Sequence, residues 1–222
     1  MNAVAKIETK DVAVATPAYL LQMAVQQGAD LDKHRIVERV FELDVANLTR
    51  TRESLDRDRF WGAVAALGRA SDILVVGGGA TAGPALYLAH SLKVMGLDAR
   101  SALDGGIPLT LELVQLKPTS VFVGISVWRY LTATVHAMEE AQSRGATRIA
   151  ITDSVVSPIA QRADIALQVG TDGVAHALSL TSVMSVINGL IAALSFERPE
   201  ETARALQQVD AAYRAGKLLS TE

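Results

Sequence analysis

Residues 74–81 read LVVGGGAT and residues 123–132 read VGISVWRYLT. In each, a short apolar run of strand character ends in a loop that leads into a helical pattern, and the residues at the junction are of types that recognise ligands. Gly77, Gly78 and Gly79 carry no side chain, so the backbone N–H groups of Gly78, Gly79 and Ala80 can approach a bound anion closely, at the point where the following helix turns its positive end inward. Thr81 adds a hydroxyl able either to cap that helix or to donate to a ligand. The second loop brings Ser126, Trp128, Arg129, Tyr130 and Thr132. Arg129 suits a bidentate, charge-assisted contact with phosphate or carboxylate, and Tyr130 a hydroxyl contact. A bland alternative stays open: Trp128 and Leu131 fill the space, Arg129 pairs with a surface carboxylate, and the domain only dimerises.

Other chemistries fit less well. A Walker A loop is excluded because no Gly-Lys-Ser/Thr follows the glycines. A dinucleotide fingerprint is met only loosely by Gly78, Ala80 and Gly83, and the second strand ends in Arg100 and Ser101 rather than in an acid. An isomerase needs a general base within hydrogen-bond reach of its substrate. Glu112, His90 and His176 are the available groups, and nothing couples them at a motif spacing. His176, just before a long apolar helix, and Glu112 are kept as catalytic candidates, and no catalytic residue is assigned. The chain has no cysteine, which rules out a thiol nucleophile, a thiolate metal site and a disulfide framework. No metal and no cofactor are expected.

The elements that must position these loops follow from hydrophobic periodicity. Strands are expected at 72–77, 97–101, 120–125, 147–152 and 164–169, and helices at 82–95, 108–116, 131–144, 157–162 and 178–195. Such alternation implies a parallel sheet with helices on both faces, and the near-continuous apolar strands agree with a sheet covered on both sides. Ser157 is a natural N-cap before Pro158, and Lys117 precedes Pro118 where helical backbone is disfavoured. Ahead of the sheet, residues 1–30 read as an arm with a short helix at 18–27. Residues 31–70 read as helical, with Ile36, Val40, Leu43 and Asn47 on one face and Asp56 capping a helix over 57–70. Residues 71–198 form the main domain, and 199–222 carry a charged amphipathic helix ending near Gly216.

At 222 residues, half of them apolar, the chain can bury one large core. A net charge of −3 offers no general footprint for a phosphate backbone, so no direct nucleic-acid contact is expected. The N-terminus carries Lys6, Glu8, Lys10 and Asp11 and no apolar signal core, which makes a cytoplasmic protein the simpler expectation. The uncharged stretch 176–196 has the length of a membrane span, but six Ser, Thr and Asn residues dilute it, and a core or interface helix is preferred.

The combination of motifs resembles the sugar isomerase (SIS) domain, which has G-x-G-x-S after its first strand, S-x-S-G-x-T after its third, and an IT…SP(L/I)A..AD stretch around its fourth and fifth. This chain offers Gly77 to Thr81, then Ser126, then Ile151-Thr152-Asp153 with Ser157-Pro158-Ile159-Ala160 and Ala163-Asp164. Within that family, the run ELDVANLTRTRESLD at 42–56 is similar to the effector domain of RpiR-type transcriptional regulators. The resemblance covers about residues 36–195. It implies a five-stranded, flavodoxin-type doubly wound sheet and a non-catalytic sensor of a phosphosugar or related sugar acid, with a phosphosugar isomerase or a ligand-free dimerisation module as alternatives.

Two departures from the family pattern matter. The thirty-odd residues ahead of the helical lead-in are too few for the helix-turn-helix domain such regulators carry. In the loop after the third strand, Ser126 keeps its place while Trp128, Arg129 and Leu131 stand where Ser, Gly and Thr are usual. The ligand, a small anionic sugar derivative, is expected between Gly78–Thr81 and Ser126–Thr132, with Asp153 and Ser157 as a third wall. A homo-oligomer, dimer or tetramer, is expected because helices 33–54 and 178–195 present more apolar surface than one sheet face can cover.

Overall fold

The computed structural model describes residues 33–218, together with 18, 19, 21, 22, 25 and 220. Of the arm, the described residues of 18–25 are helical, and the rest of 1–32 lies outside the described residues. Two helices lead in, α1 (Ile36–Ser54) and α2 (Arg57–Arg69). The chain then alternates through β1 (Ile73–Val76), α3 (Ala82–Val94), β2 (Ala99–Ala102), α4 (Gly106–Leu113), β3 (Val121–Ile125), α5 (Thr132–Ser143), β4 (Thr147–Thr152) and β5 (Ile165–Gln168). It closes with α6 (Thr181–Glu197) and α7 (Pro199–Ala215). Asp56 caps α2 as its sequence position suggests, its carboxylate accepting from the Arg59 N–H at 3.0 Å.

All five strands are parallel, in the order β2-β1-β3-β4-β5. β1 and β3 lie inside the sheet, and every residue of both is buried. Side chains alternate between two cores, as the two-residue period of a strand requires. Ile73, Val75, Val121 and Val123 join Leu67, Leu88, Leu92, Ile187 and Leu190 on the side of α2, α3 and α6. Leu74, Val76 and Phe122 join Leu109, Leu113, Met138 and Ala141 on the side of α4 and α5. The long apolar segment thus lies in the core as α6, with Val183, Ile187, Leu190 and Leu194 buried, and no helix of the described residues is long and apolar enough to cross a membrane.

The expected helix over 157–162 is replaced by turns and one short 3-10 turn, Ala160–Arg162. Residues 153–164 must carry the chain from the carboxyl end of β4 back to the amino end of β5. A compact α-helix rises only ~1.5 Å per residue, against ~2.0 Å for the tighter 3-10 form. The more extended path also drops Ile159 into the core. Ser157 still caps, its Oγ accepting from the Ala160 N–H at 3.2 Å.

The helix α1 is held to the body by a polar stripe rather than an apolar one. Asn47, fully buried, donates from Nδ2 to the Asp172 carbonyl at 2.8 Å and accepts the Asp172 N–H on Oδ1 at 3.2 Å. Thr51 Oγ1 accepts the Gly170 N–H at 2.8 Å, and Asp44 accepts from the hydroxyls of Ser179 and Thr181. The segment between β5 and α6 has no regular pairing of its own, and these side chains satisfy its backbone. Gly170 lets the two backbones come close, since a Cβ there would lie 3.1 Å from the Asn47 carbonyl oxygen. The first turns of α1 run past this contact, leaving Ile36, Val37, Val40 and Phe41 exposed although Ile36 and Val40 share the face of Asn47.

Replacing Asn47 with Ala strips both backbone groups of Asp172 of their partners. The expected loss is ~1–3 kcal/mol of stability, the cost of leaving buried polar groups unpaired, measured by urea unfolding. A change under about 0.5 kcal/mol, the range of ordinary surface substitutions, would contradict this account of α1.

Candidate functional site

In the order β2-β1-β3-β4-β5 the chain winds one way from β1 to β2 and the other way from β3 onward, so the loops after β1 and β3 part above the sheet's carboxyl edge. Open α/β sheets bind their ligands in the crevice formed there. The two loops are in direct touch. A Cβ on Gly78 would come within 2.7 Å of Leu131 Cδ1, so Leu131 lies over the glycine turn. Gly77 packs as tightly on the other side, where a Cβ would meet the Thr81 carbonyl oxygen at 2.6 Å and Ala85 Cβ at 2.9 Å. Gly79, at φ +56°, and Ala80 face solvent, and nothing lies within 4 Å of a Cβ on Gly79.

Thr81 neither caps α3 nor faces outward. Buried, its Oγ1 lies 2.8 Å from the Ile125 carbonyl and 3.0 Å from the Gly78 carbonyl. Its single proton serves one of them at a time, tying the turn after β1 to the end of β3. Ser126 is buried too, its N–H continuing the ladder to the Ile151 carbonyl at 3.2 Å. Ser157 is buried beneath the edge, where its Oγ accepts from the Thr152 hydroxyl at 3.0 Å.

Asp153, one residue past β4, organises the loop after β3. Its Oδ2 accepts the Trp128 N–H at 3.2 Å and its Oδ1 the Tyr130 hydroxyl at 2.9 Å, while the Thr152 hydroxyl, 3.3 Å from Oδ1, has a single proton that serves either Asp153 or Ser157. Between the two anchored residues Arg129 stands exposed, its guanidinium carbon 5.6 Å from the centre of the Trp128 ring, within cation–π range. Thr132 opens α5 in an exposed position. The edge therefore gathers Gly78, Gly79, Ala80, Trp128, Arg129, Tyr130, Thr132 and Asp153, while Thr81, Ser126 and Ser157 are turned into the fold. What it offers a ligand is an exposed glycine turn beside a braced cationic loop.

Glu112 lies away from this edge. Glu112 accepts from Arg100 Nε at 2.5 Å, and Arg100 Nη1 in turn donates to Asp72 at 2.9 Å, just ahead of β1 at the opposite end of the sheet. Burial there opposes ionisation of Asp72, yet hydrogen bonds from Ser120, Arg100 and Ser71 outweigh it and hold the carboxyl below its ordinary range. His176 is exposed in the segment between β5 and α6 and makes no hydrogen bond among the described residues. Among the described residues no group of three or more His, Cys, Asp or Glu side chains is placed to hold a metal ion.

Residues that sequence reasoning passed over also reach this edge. A cavity of about 200 Å³ is lined by Arg50 and Ser54 of α1, Asp153, Gln168 and residues 169–172. The signal for it was Asn47 and Thr51 at helical spacing on the inward face of α1, which marks a polar surface underneath. A larger groove, about 390 Å³, runs between α2 and α6 past Trp61, Leu194 and Arg198, and none of the loop residues lines it.

The phenol of Tyr130 has its pKa raised well above the ordinary tyrosine value, by burial first and then by the negative charge and hydrogen bond of Asp153. Unfolded tyrosines ionise near pH ~10. Above that pH the folded form keeps a proton that the unfolded form has lost, so stability falls as the solution becomes more alkaline. Tyr130→Phe should remove part of this decline, along with the last tyrosine to ionise in an ultraviolet titration. A variant whose phenolate titration keeps that most alkaline component would contradict the Tyr130–Asp153 contact.

The comparisons with known proteins agree with this architecture. The family model for the SIS domain matches residues 66–193. The crystal structure of the sugar isomerase domain of an RpiR transcription factor from Sphaerobacter thermophilus is similar at 38% identity and TM-score 0.78, covering 80% of this chain and 99% of that one. The Vibrio vulnificus NanR protein complexed with ManNAc-6P is similar at 20% identity and TM-score 0.75, over 90% of this chain and 75% of that one. An Escherichia coli CFT073 protein in complex with A5P is similar at 18% identity and TM-score 0.66, over 79% and 96%. At those identities the last two show the fold alone. No curated protein matches the chain. With the family model spanning more than half of its length and the Sphaerobacter domain at 38% identity, this chain belongs to the SIS domain family.

Proposed function

We propose that this chain is a non-catalytic sensor domain that binds a phosphosugar or related sugar acid at the loops after β1 and β3, as the effector-binding part of an RpiR-type transcriptional regulator. The observation that carries the reading is the bracing of Arg129. Asp153 anchors the residues on both sides of it, and the Trp128 ring backs its guanidinium, in the same loop that touches the glycine turn through Leu131. A cation held in this way loses little freedom when an anion arrives. The similarity to an RpiR sugar isomerase domain, and to proteins whose structures hold ManNAc-6P and A5P, supports a phosphosugar as the anion.

The absence of catalysis in this reading rests on the bases. Glu112 is engaged by Arg100 away from the loops, and the Asp153 carboxylate already accepts the Trp128 N–H and the Tyr130 hydroxyl. Neither is poised to take a proton from a substrate carbon. The reading includes a homo-oligomer of two-fold symmetry, supported by the exposed Ile36, Val37, Phe41 and Val45 of α1 and by Phe196, which is 85% exposed at the end of α6.

Calorimetric titration with a panel of phosphosugars and sugar acids tests the proposal. Arg129→Ala should leave the fold intact and weaken the best ligand by ~1.5–3 kcal/mol, about ten- to a hundredfold. Arg129→Lys should recover only part, because a point charge does not reproduce the planar fork. Equal binding by wild type and both variants would remove Arg129 from the site. Turnover of a phosphosugar by the pure protein would replace the sensor with an isomerase. A monodisperse monomer in light scattering at micromolar concentration would count against the oligomer.

A further inference from the structure

We propose that the cavity between α1 and the carboxyl ends of β4 and β5 binds the hydroxyl-bearing, uncharged end of the same ligand whose anionic end lies at the loops after β1 and β3. The inference rests on the functional reading above and narrows its ligand to a sugar carrying its anion at one end only.

The cavity is built before any ligand arrives. Its floor, residues 169–172, is fixed from α1 by Asn47 and Thr51 and from β4 by the Val169 N–H on the Thr152 carbonyl. Gln168 Nε2 donates to the Asp153 carbonyl at 3.2 Å, which sets the wall between β4 and β5. The cleft, about 200 Å³ and open to solvent on one side, has room for a short polyol.

Its lining is chemically mixed. Arg50 spends only Nη2, on Asn47 Oδ1 at 2.6 Å and Asp172 Oδ2 at 2.7 Å, so its Nε and Nη1 have no acceptor among the described residues. Asp172 Oδ1 and Gln168 Oε1 likewise receive no donor among them. Sugar hydroxyls both donate and accept, and this alternation of fixed donors and acceptors suits them. A second phosphate or carboxylate suits it badly. Asp153 and Asp172 are both acidic, and Arg50, the one cation of the lining, is already paired with Asp172.

The cavity also adjoins the loop after β3. The carboxylate of Asp153 holds Trp128 and Tyr130, while the same residue lines the cavity. β5 is two strands from β3, about 10 Å along the edge at ~4.8 Å per strand. One extended phosphosugar reaches from one to the other.

Calorimetry on the full chain tests this with inorganic phosphate, a set of hexose, pentose and N-acetylhexosamine monophosphates, and fructose 1,6-bisphosphate. Arg50→Gln and Asp172→Asn should each lower the affinity of the tightest monophosphate at least tenfold and leave inorganic phosphate unchanged, whereas Arg129→Ala lowers both. Asp172→Asn should in addition bind the bisphosphate at least fivefold tighter than wild type does, a gain that a damaged fold cannot produce. Wild-type affinity for the monophosphate in both cavity variants would overturn the inference while leaving the loop site standing, as would a bisphosphate that binds wild type as tightly as the monophosphate. If neither phosphate nor any monophosphate binds wild type, the functional reading fails, and this inference fails with it.

Discussion

The carboxylate of Asp153 is the group on which the arrangement of the candidate site depends. It accepts from the Trp128 N–H and the Tyr130 hydroxyl, and so converts the chain between β3 and α5 from a free loop into a braced one. Two further bonds extend the brace along the sheet. Thr81 joins the turn after β1 to the end of β3, and Gln168 joins β5 to the Asp153 carbonyl. Four neighbouring strand ends are thereby linked by side chains, just where the backbone ladder stops. Each such bond contributes only about 0.5–1.5 kcal/mol. Their effect lies in removing alternatives for the loop, which lowers the ordering cost a ligand would otherwise meet.

The helix α1 belongs to this arrangement. Asp44, Asn47 and Thr51 point the same way because three- and four-residue steps share a helical face, and they meet a segment that is itself neither strand nor helix. The lead-in helix thus forms one wall of the cavity beside Asp153. Anything that alters residues 169–172 is felt by α1 through hydrogen bonds rather than through soft apolar packing.

Much of the fold was legible in the sequence. The apolar runs around Leu74, Val123 and Ile149 marked the three inner strands, because strands buried on both faces carry an unmistakable composition, and the alternation with helical segments placed the edge strands β2 and β5 to within a residue or two. The turn at 157–162 was misread since the capping signal of Ser157 and Pro158 is local, while the distance the chain must cover back to β5 is not. In the site, residue types pointed to the carboxyl edge of the sheet, and the direction of each side chain was out of reach. Nothing in the string GGGAT says that Thr81 turns inward to Ile125, and nothing local to Ile151-Thr152-Asp153 says that its carboxylate anchors a loop more than twenty residues earlier. Glu112 was kept as a base for want of its partner, Arg100, whose pairing depends on β2 lying beside α4.

The central claim is that an anion binds where the loops after β1 and β3 meet. The most direct test follows the backbone amide resonances of the protein while a phosphosugar that binds it is titrated in. The account predicts that the largest shifts gather at residues 77–81, 126–132 and 153, with Trp128 and Arg129 foremost. Shifts centred instead on the groove between α2 and α6, around Trp61 and Leu194, would contradict it.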